Sequence, residues 1–220
     1  MRGSIKGTEI MSFEDIKKHW NEDVFEEEYF RTTGELPWDI GHHDENLEKV
    51  FAGDWRESLS VLELGCGSGN DAIWFAKKGF DVTAVDISER EINLAKEKSK
   101  GISNIDYIID DIFSFSTEKK FDIIYDRECI HNNQDELQVL FSRLHKILKD
   151  DGKIIILSGN PNNKFFGPIS LSPWPTPMNI STIETSSQGL FKIKLVKEIN
   201  MEQNNKKVSL GWLFILEKKL

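Results

Sequence analysis

The feature that most constrains this chain is a glycine loop between a short apolar segment and a helical one. Residues 60–64 are apolar and β-prone, glycines then alternate at Gly65, Gly67 and Gly69, and residues 71–76 favour a helix. This order is typical of a doubly wound sheet, in which backbone N–H groups at the start of the helix face a small polar ligand. The sequence therefore predicts an α/β fold with a ligand site at the carboxyl edge of its sheet.

A carboxylate closes the next predicted strand. Asp86 ends the segment 81–86 and lies 21 residues after Gly65 (86 − 65). At that place it can accept hydrogen bonds from both hydroxyls of a ribose. It could instead cap the helix that begins near Ser88. The distance from the loop favours the ribose role, and with it a nucleoside-bearing cofactor.

The loop itself helps to decide which cofactor. A dinucleotide site has the pattern G-x-G-x-x-G, whereas here Asn70 stands where the last glycine would be. Glu63 also precedes the first glycine by two residues, and a carboxylate there favours a cationic ligand over a pyrophosphate. The E-x-G-x-G-x-G pattern resembles the glycine loop of class I S-adenosylmethionine-dependent methyltransferases, whose cofactor carries a sulfonium and an ammonium. An NAD-linked oxidoreductase and a non-catalytic cofactor-binding module stay open as alternatives.

The rest of the chain alternates between strands and helices, which predicts a parallel sheet with helices on its faces. Strands are expected over residues 60–64, 81–85, 105–109, 121–125 and 153–158, and helices over 70–78, 88–100 and 134–149, the last ending at Asp151-Gly152. The final two strands, over 191–199 and 207–217, are too close in sequence for a parallel crossover and must pair antiparallel. We therefore expect a Rossmann-like, doubly wound, seven-stranded sheet, mostly parallel with a C-terminal antiparallel hairpin. Class I methyltransferases use the same arrangement.

The segments around this core predict one domain with a helical cap. A helix is expected over 12–30 and a second one carries Leu47, Val50 and Phe51. Residues 1–55 would form the cap and 56–220 the methyltransferase domain. Five of the six prolines lie in 161–177, which predicts a loop rather than a crossover helix. That loop is either a lid over the substrate or an ordinary surface loop.

Composition disfavours several classes of partner. The net charge is −9 and the chain has no block of lysine or arginine, which disfavours nucleic acid. No apolar run approaches the roughly 20 residues of a membrane span. Two cysteines fit a reducing cytoplasm. The adjacent His42 and His43 do not predict a metal site. The sequence leaves the oligomeric state open.

Three short segments resemble one particular branch of these methyltransferases. Pro37-Trp38-Asp39-Ile40-Gly41 and Phe121-Asp122-Ile123-Ile124-Tyr125-Asp126-Arg127-Glu128-Cys129 resemble segments of the thiopurine S-methyltransferase-like branch, which includes thiol and halide methyltransferases. Gly167-Pro168 is similar to a Gly-Pro-Pro of that branch, with Ile169 in place of the second proline.

The resemblance implies roles for the cofactor-site residues. The backbone of Gly65 and Gly67 would surround the methionine part of S-adenosylmethionine, with Glu63 tuning the loop. Asp86 would hold the ribose diol and Ile87 would touch the adenine. The remaining implied contacts are Asp111 to the adenine amino group, the Ile112 amide to a ring nitrogen, Trp38 closing over the cofactor, and the Asp126 backbone to the ammonium.

The resemblance implies fewer residues for binding the acceptor than for binding the cofactor. The resemblance implies that Arg127 faces the acceptor, although it could equally form a structural ion pair. His131 lies just past the fourth predicted strand, where it is either a general base or an ordinary histidine. The resemblance implies methyl transfer to a small molecule. A thiol is the preferred acceptor, because it is already a few per cent thiolate at neutral pH and needs no obligatory base.

Overall fold

The structure is a computed structural model that describes residues 38–53, 58–162, 177–202 and 208–219. The helix predicted over 12–30, the Gly167-Pro168 pair and most of the proline-containing segment 161–177 lie outside the described residues.

The described residues form one seven-stranded sheet with helices on both faces. Its strands are β1 (Ser60–Leu64), β2 (Asp81–Asp86), β3 (Ile105–Ile109), β4 (Phe121–Arg127), β5 (Leu148–Gly159), β6 (Phe191–Glu202) and β7 (Val208–Lys218). Its helices are α1 (Glu45–Val50), α2 (Asn70–Lys77), α3 (Glu89–Lys98), α4 (Leu137–Ile147) and α5 (Ile180–Ser186), with a 3₁₀ helix at Ile130–Glu136.

The strand order is β3-β2-β1-β4-β5-β7-β6. The pairs among β1 to β5 are parallel, whereas β7 runs antiparallel to both β5 and β6. The predicted fold class, a mostly parallel sheet closed by an antiparallel hairpin, is therefore confirmed. This order brings the carboxyl ends of β1, β2 and β4 to one edge of the sheet.

Two apolar cores hold the helices against the sheet. On one face, β-strand side chains such as Ile124 and Phe214 pack with Phe141 of α4. On the other, Tyr125 packs with Phe75 of α2 at a ring-centroid distance of 5.3 Å. Every residue of β1 is buried, as expected of a central strand that is covered on both faces.

The boundary between α4 and β5 differs most from the sequence prediction. The helix expected over 134–149 is α4, which ends at Ile147, and β5 begins directly at Leu148. Phe121 of β4 pairs with Leu148 of β5, and Ile123 pairs with Lys153. More residues lie between these pairs on β5 than on β4, so the extra residues of β5 bulge out of the ladder. Helical periodicity in the last apolar positions did not reveal this bulge.

The connection before the terminal hairpin also contains a helix. Residues 180–186 form α5, with Ile183 buried in the core, where the sequence predicted only a loop. The prolines precede this helix and therefore do not interrupt it.

Among the described helices, none combines the length and the hydrophobicity needed to cross a bilayer.

Candidate functional site

The glycine loop is fixed to the end of β2. The backbone N–H groups of Gly65 and Cys66 both donate to the Val85 carbonyl, at 2.8 and 3.0 Å. Gly65 has a φ of +67°, and a Cβ there would lie 2.3 Å from the Sγ of Cys129. A side chain at Gly65 would therefore clash with the segment that follows β4, which explains the first glycine.

The other two glycines differ in what they face. A Cβ on Gly69 would lie within 2.9 Å of both Ala95 and Tyr107, so this glycine permits close packing. Around Gly67, by contrast, the nearest atom to such a Cβ is a carboxylate oxygen of Glu91, at 3.8 Å. The loop is therefore closed at its two ends and open at its centre, where a ligand can approach the backbone.

Asp86 organises this open centre. Its Oδ2 accepts from the Gly67 N–H at 2.7 Å and its Oδ1 accepts from the Ser88 N–H at 2.9 Å. Burial raises the pKa of Asp86, although the hydrogen bonds from Ser88 and Gly67 act in the opposite direction. A carboxylate can accept about four hydrogen bonds in total, so the helix-capping contact and a ribose contact are compatible.

Three more buried carboxyl groups surround the loop. Glu63, Glu91 and Asp126 are each less than 4% exposed. Among the described residues, hydrogen-bond partners are missing for one oxygen of Glu63, one of Asp126 and both of Glu91. Burial raises the pKa of Glu91 to about 7 and that of Asp126 to about 8. The pKa of Glu63 is also well above its usual range, because of burial and of the nearby carboxylates Asp71 and Asp86.

The carboxylate oxygens without partners in the described part of the chain indicate which kind of ligand could bind here. Buried carboxylates without partners are costly unless a cation or a hydrogen-bond donor meets them. S-adenosylmethionine brings a sulfonium, an ammonium and two ribose hydroxyls, and it fits this donor-poor, acidic surrounding. A pyrophosphate would add two negative charges to the same place and does not fit.

An N-terminal strap, residues 38–44, crosses the glycine loop. Asp39 accepts from the Asn70 side-chain amide at 2.8 Å and from the Ser68 hydroxyl at 3.0 Å. Lys98 lies 3.5 Å from the same carboxylate. The strap therefore binds the loop through its own side chains, and Trp38, the predicted cofactor cover, is the residue next to this contact.

Arg127 anchors the strap from the sheet. Its Nε donates to Asp44 at 3.2 Å, and its two terminal nitrogens donate to the carbonyls of Trp38 and Glu202, at 3.1 and 3.4 Å. Its side chain is 12% exposed. The guanidinium is thus used in protein contacts, and its predicted role of facing the acceptor stays a prediction.

The Arg127 contact belongs to a buried polar network that the sequence did not reveal. Asp71, in the first turn of α2, accepts from the Asp44 N–H at 2.8 Å and from the Tyr125 hydroxyl at 2.9 Å. Asp44 in turn accepts from the Asn46 N–H and caps α1. No periodicity or motif marks these contacts, because they join residues that are far apart in sequence.

The predicted adenine contacts lie at the adjacent edge of the sheet. Asp111 is buried and Asp110 only half-buried. The Oδ1 of Asp111 accepts from the Phe113 N–H at 2.9 Å. Ile112 is 6% exposed and Ile87, directly after Asp86, is half-exposed. These residues follow β2 and β3, which are neighbours in the sheet.

Three neutral polar groups lie at the carboxyl edge beyond β4. They are Nε2 of His131, Oγ of Ser158 and Nε1 of Trp212, each buried and without a hydrogen-bond partner among the described residues. Ser158 and Trp212 are directly paired across β5 and β7. Burial lowers the pKa of His131 to about 3, so its imidazole is neutral and a weak base.

The two neighbouring histidines contact acidic side chains. His42 lies 3.5 Å from Glu202 and His43 lies 3.4 Å from Glu48. Within the described ranges, no three His, Cys, Asp or Glu side chains are grouped as metal ligands would be.

The fold is the Rossmann-like fold that class I S-adenosylmethionine-dependent methyltransferases use. Its sheet has an inserted antiparallel β7, a glycine loop follows β1 and an acid ends β2. More particularly, residues 61–152 match the family described as "Methyltransferase domain".

The similar proteins match about half or more of this chain, and their names give different methyl acceptors. The chain is 33% identical over 121 residues to phosphoethanolamine N-methyltransferase 2 of Caenorhabditis elegans, covering 53% of this chain and 28% of that one. It is 26% identical over 139 residues to probable thiol methyltransferase 2 of Arabidopsis thaliana, covering 61% and 62%. The match thus spans less than two thirds of either relative.

A solved structure supports the fold over most of the chain. The structure titled "Conversion of a Disulfide Bond into a Thioacetal Group during Echinomycin Biosynthesis" aligns with a TM-score of 0.70 and 22% identity, covering 84% of each chain.

We expect Asp126 to contribute stability to the ligand-free protein that is lost as the pH rises from about 4 to about 8, whereas the lowered pKa of His131 acts in the opposite direction below about pH 6.5. The pKa of Asp126 is about 8 in the folded protein and ordinarily 3.8. Between these values the unfolded chain releases a proton that the folded chain keeps, so the free energy of unfolding falls. Urea unfolding at acidic and mildly basic pH measures this slope.

Compared with the wild type, Asp126→Asn should lose less stability, or gain more, as the pH rises from about 4 to about 8, because an amide does not titrate. The other site carboxyls with raised pKa keep part of the dependence. Asp106→Asn, at an exposed position on β3, is the matched control and should leave the slope unchanged. An Asp126→Asn slope equal to that of the wild type would contradict the assignment.

Proposed function

We propose that this protein transfers a methyl group from S-adenosylmethionine to a small-molecule acceptor, and that the acceptor atom is the sulfur of a thiol. The observation that carries the cofactor part is the set of buried carboxyl groups with unpartnered oxygens around the open centre of the glycine loop. When bound, S-adenosylmethionine would supply a methyl group on a sulfonium sulfur; as the acceptor takes this group, the methyl–sulfur bond would break and the neutral thioether S-adenosylhomocysteine would leave.

The chain's own residues bind and orient the cofactor in this proposal. Asp86 accepts from the ribose, Ile87 contacts the adenine, and Asp111 with Ile112 binds the adenine edge. The backbone at Gly65 and Gly67 surrounds the methionine part, beside Glu63, while Asp126 lies at the ammonium. Trp38 closes over the cofactor from the strap. Residues 1–55 then act as a cap on the domain formed by 56–220.

The choice of a thiol follows from the acceptor side of the site. Of the polar groups described there, His131 is buried, and the lowering of its pKa by burial disfavours it as the base for an alcohol or an amide. A thiol needs no such base, since it is already a few per cent thiolate at neutral pH. The protein then has to align the sulfur and exclude water, and such positioning removes at best roughly 7–11 kcal/mol of barrier.

The similar proteins support methyl transfer as the reaction, but they are named for different acceptors. One relative is named for a thiol and another for phosphoethanolamine, so both sulfur and nitrogen acceptors occur among similar proteins. The buried neutral groups of His131, Ser158 and Trp212 favour an uncharged acceptor that forms hydrogen bonds over a phosphate ester.

We expect methyl transfer from labelled S-adenosylmethionine to small thiols, and slower or no transfer to phosphoethanolamine. The full chain is incubated with matched panels of thiols, thiopurines, halides, metalloid oxyanions and amines, and the labelled product is identified by mass spectrometry. Boiled protein and Asp86→Ala serve as controls.

Transfer to amines with none to thiols would reject the sulfur acceptor and keep the methyltransferase. Binding of S-adenosylhomocysteine without transfer to any acceptor would support the non-catalytic module instead. Binding of NAD with no binding of S-adenosylhomocysteine would support the oxidoreductase.

A further inference from the structure

Glu91 is the buried acid whose place in the fold has no structural explanation. It lies in the first turn of α3, is 2% exposed, and neither of its carboxylate oxygens has a hydrogen-bond partner among the described residues. A carboxyl group held this way destabilises the ligand-free protein, because it loses its hydration and gains no hydrogen bond in return.

Helix capping does not explain Glu91 either. The Ser88 hydroxyl accepts from the Glu91 N–H at 3.3 Å, which is one half of a capping box. In the other half, the Glu91 side chain would accept from the Ser88 N–H. That N–H donates to Asp86 at 2.9 Å instead, so the Glu91 carboxylate is left unused.

The unused carboxylate faces the open centre of the glycine loop. Its Oε2 lies 3.8 Å from the point that a Cβ on Gly67 would occupy, and the Gly67 N–H donates to Asp86 at 2.7 Å. Glu91 and Asp86 therefore adjoin Gly67 together. Asp86 already accepts from the backbone N–H groups of Gly67 and Ser88, whereas both oxygens of Glu91 have no partner among the described residues.

The charged groups that act on Glu91 come from three elements. Asp86 at the end of β2 and Asp39 of the strap disfavour its ionised form, while Arg90 and Lys98 of α3 favour it. The carboxylates of Asp86 and Asp39 repel a negative charge on Glu91, and a hydrogen-bond donor from a ligand would stabilise that charge.

We propose that Glu91 is a further cofactor-binding residue, whose carboxylate accepts a hydrogen bond from one ribose hydroxyl while Asp86 accepts from the other. This inference rests on the proposed function, because it takes an adenosyl cofactor as the ligand. It assigns the ribose to a pair of acids on β2 and α3 rather than to Asp86 alone.

The assignment predicts opposite effects of one substitution on stability and on binding. Glu91→Met keeps the length of the side chain and removes its polar atoms. The ligand-free variant should unfold at a temperature equal to or above that of the wild type, because a buried unpartnered carboxyl is lost. Its dissociation constant for S-adenosylhomocysteine should rise about ten- to a hundredfold, the effect of losing a hydrogen bond to an ionised acceptor.

The experiment is titration calorimetry of the full chain with S-adenosylhomocysteine, adenosine, 2′-deoxyadenosine and 3′-deoxyadenosine, together with thermal unfolding of each ligand-free protein. In the wild type, loss of either hydroxyl should weaken binding. In Glu91→Met, one of the two deoxynucleosides should bind as well as adenosine. Glu91→Gln, which retains an acceptor oxygen, should restore part of the affinity. Glu89→Met, exposed on the same turn of α3, should change nothing.

The outcomes separate this inference from the one on which it rests. If the wild type binds S-adenosylhomocysteine and Glu91→Met binds it equally well, the Glu91 assignment is wrong and the proposed function stands. A clear fall in the unfolding temperature of both Glu91 variants, with unchanged selectivity among the nucleosides, would show a purely structural role. A wild type that binds no S-adenosylhomocysteine would overturn both proposals.

Discussion

Asp86→Ala is expected to weaken binding of S-adenosylhomocysteine by about ten- to a hundredfold, corresponding to roughly 1.5–3 kcal/mol for hydrogen bonds to an ionised acceptor. Two causes act together. The variant loses the proposed acceptor for the ribose, and it also releases the Gly67 N–H that Asp86 holds at 2.7 Å. Titration calorimetry with the purified full chain measures the change.

A second variant separates these two causes. Asp86→Asn keeps an oxygen that can accept from Gly67 or Ser88 but removes the charge, so it should lie between Ala and the wild type. Asp81→Ala at the exposed opposite end of β2 is the matched control and should bind like the wild type. An unchanged dissociation constant for Asp86→Ala would reject the ribose assignment.

Arg127→Ala is expected to lower the free energy of unfolding by about 3–5 kcal/mol, the usual effect of removing one partner of a buried ion pair. The substitution leaves Asp44, which is 1% exposed, without its 3.2 Å contact to a guanidinium. It also releases the carbonyls of Trp38 and Glu202. Urea unfolding of the ligand-free protein measures the loss.

A matched pair on the surface provides the control for this effect. Lys100 and Glu97 are paired with both side chains largely exposed, so Lys100→Ala should change the unfolding free energy by no more than about 1 kcal/mol. The double variant Arg127→Ala/Asp44→Ala should be less destabilised than the sum of the single variants, because the two residues share one interaction. Full stability of Arg127→Ala, with a raised KM for the acceptor, would instead support the predicted acceptor-facing role.

The fold was predictable because it depends on local patterns. Continuous apolar runs identified the buried strands, and the short link before residue 208 required an antiparallel hairpin. The α4–β5 boundary was not predictable, because the bulge between Leu148 and Lys153 is a property of the pairing between two strands. Helix α5 was missed because the prolines before it dominated the interpretation of that connection.

The candidate site was predictable only where the chemistry follows a motif. The spacing of Asp86 and the three glycines along the chain can be recognised in a single sequence. Asp39, Asp44 and Asp71 cannot be recognised in this way, since the partners that join them to the network are 27 or more residues away in sequence. Glu91 carried a misleading signal, because its position three residues after Ser88 is that of an ordinary capping residue.

The most direct test of the central claim, that an adenosyl sulfonium cofactor binds over the glycine loop, is a crystal structure of the protein with S-adenosylhomocysteine. We predict the ribose at Asp86 and Glu91, the adenine beside Asp111, and the amino acid part between Gly65 and Asp126. A well-diffracting complex in which the ligand binds elsewhere, or in which this loop stays empty at saturating concentration, would contradict the account.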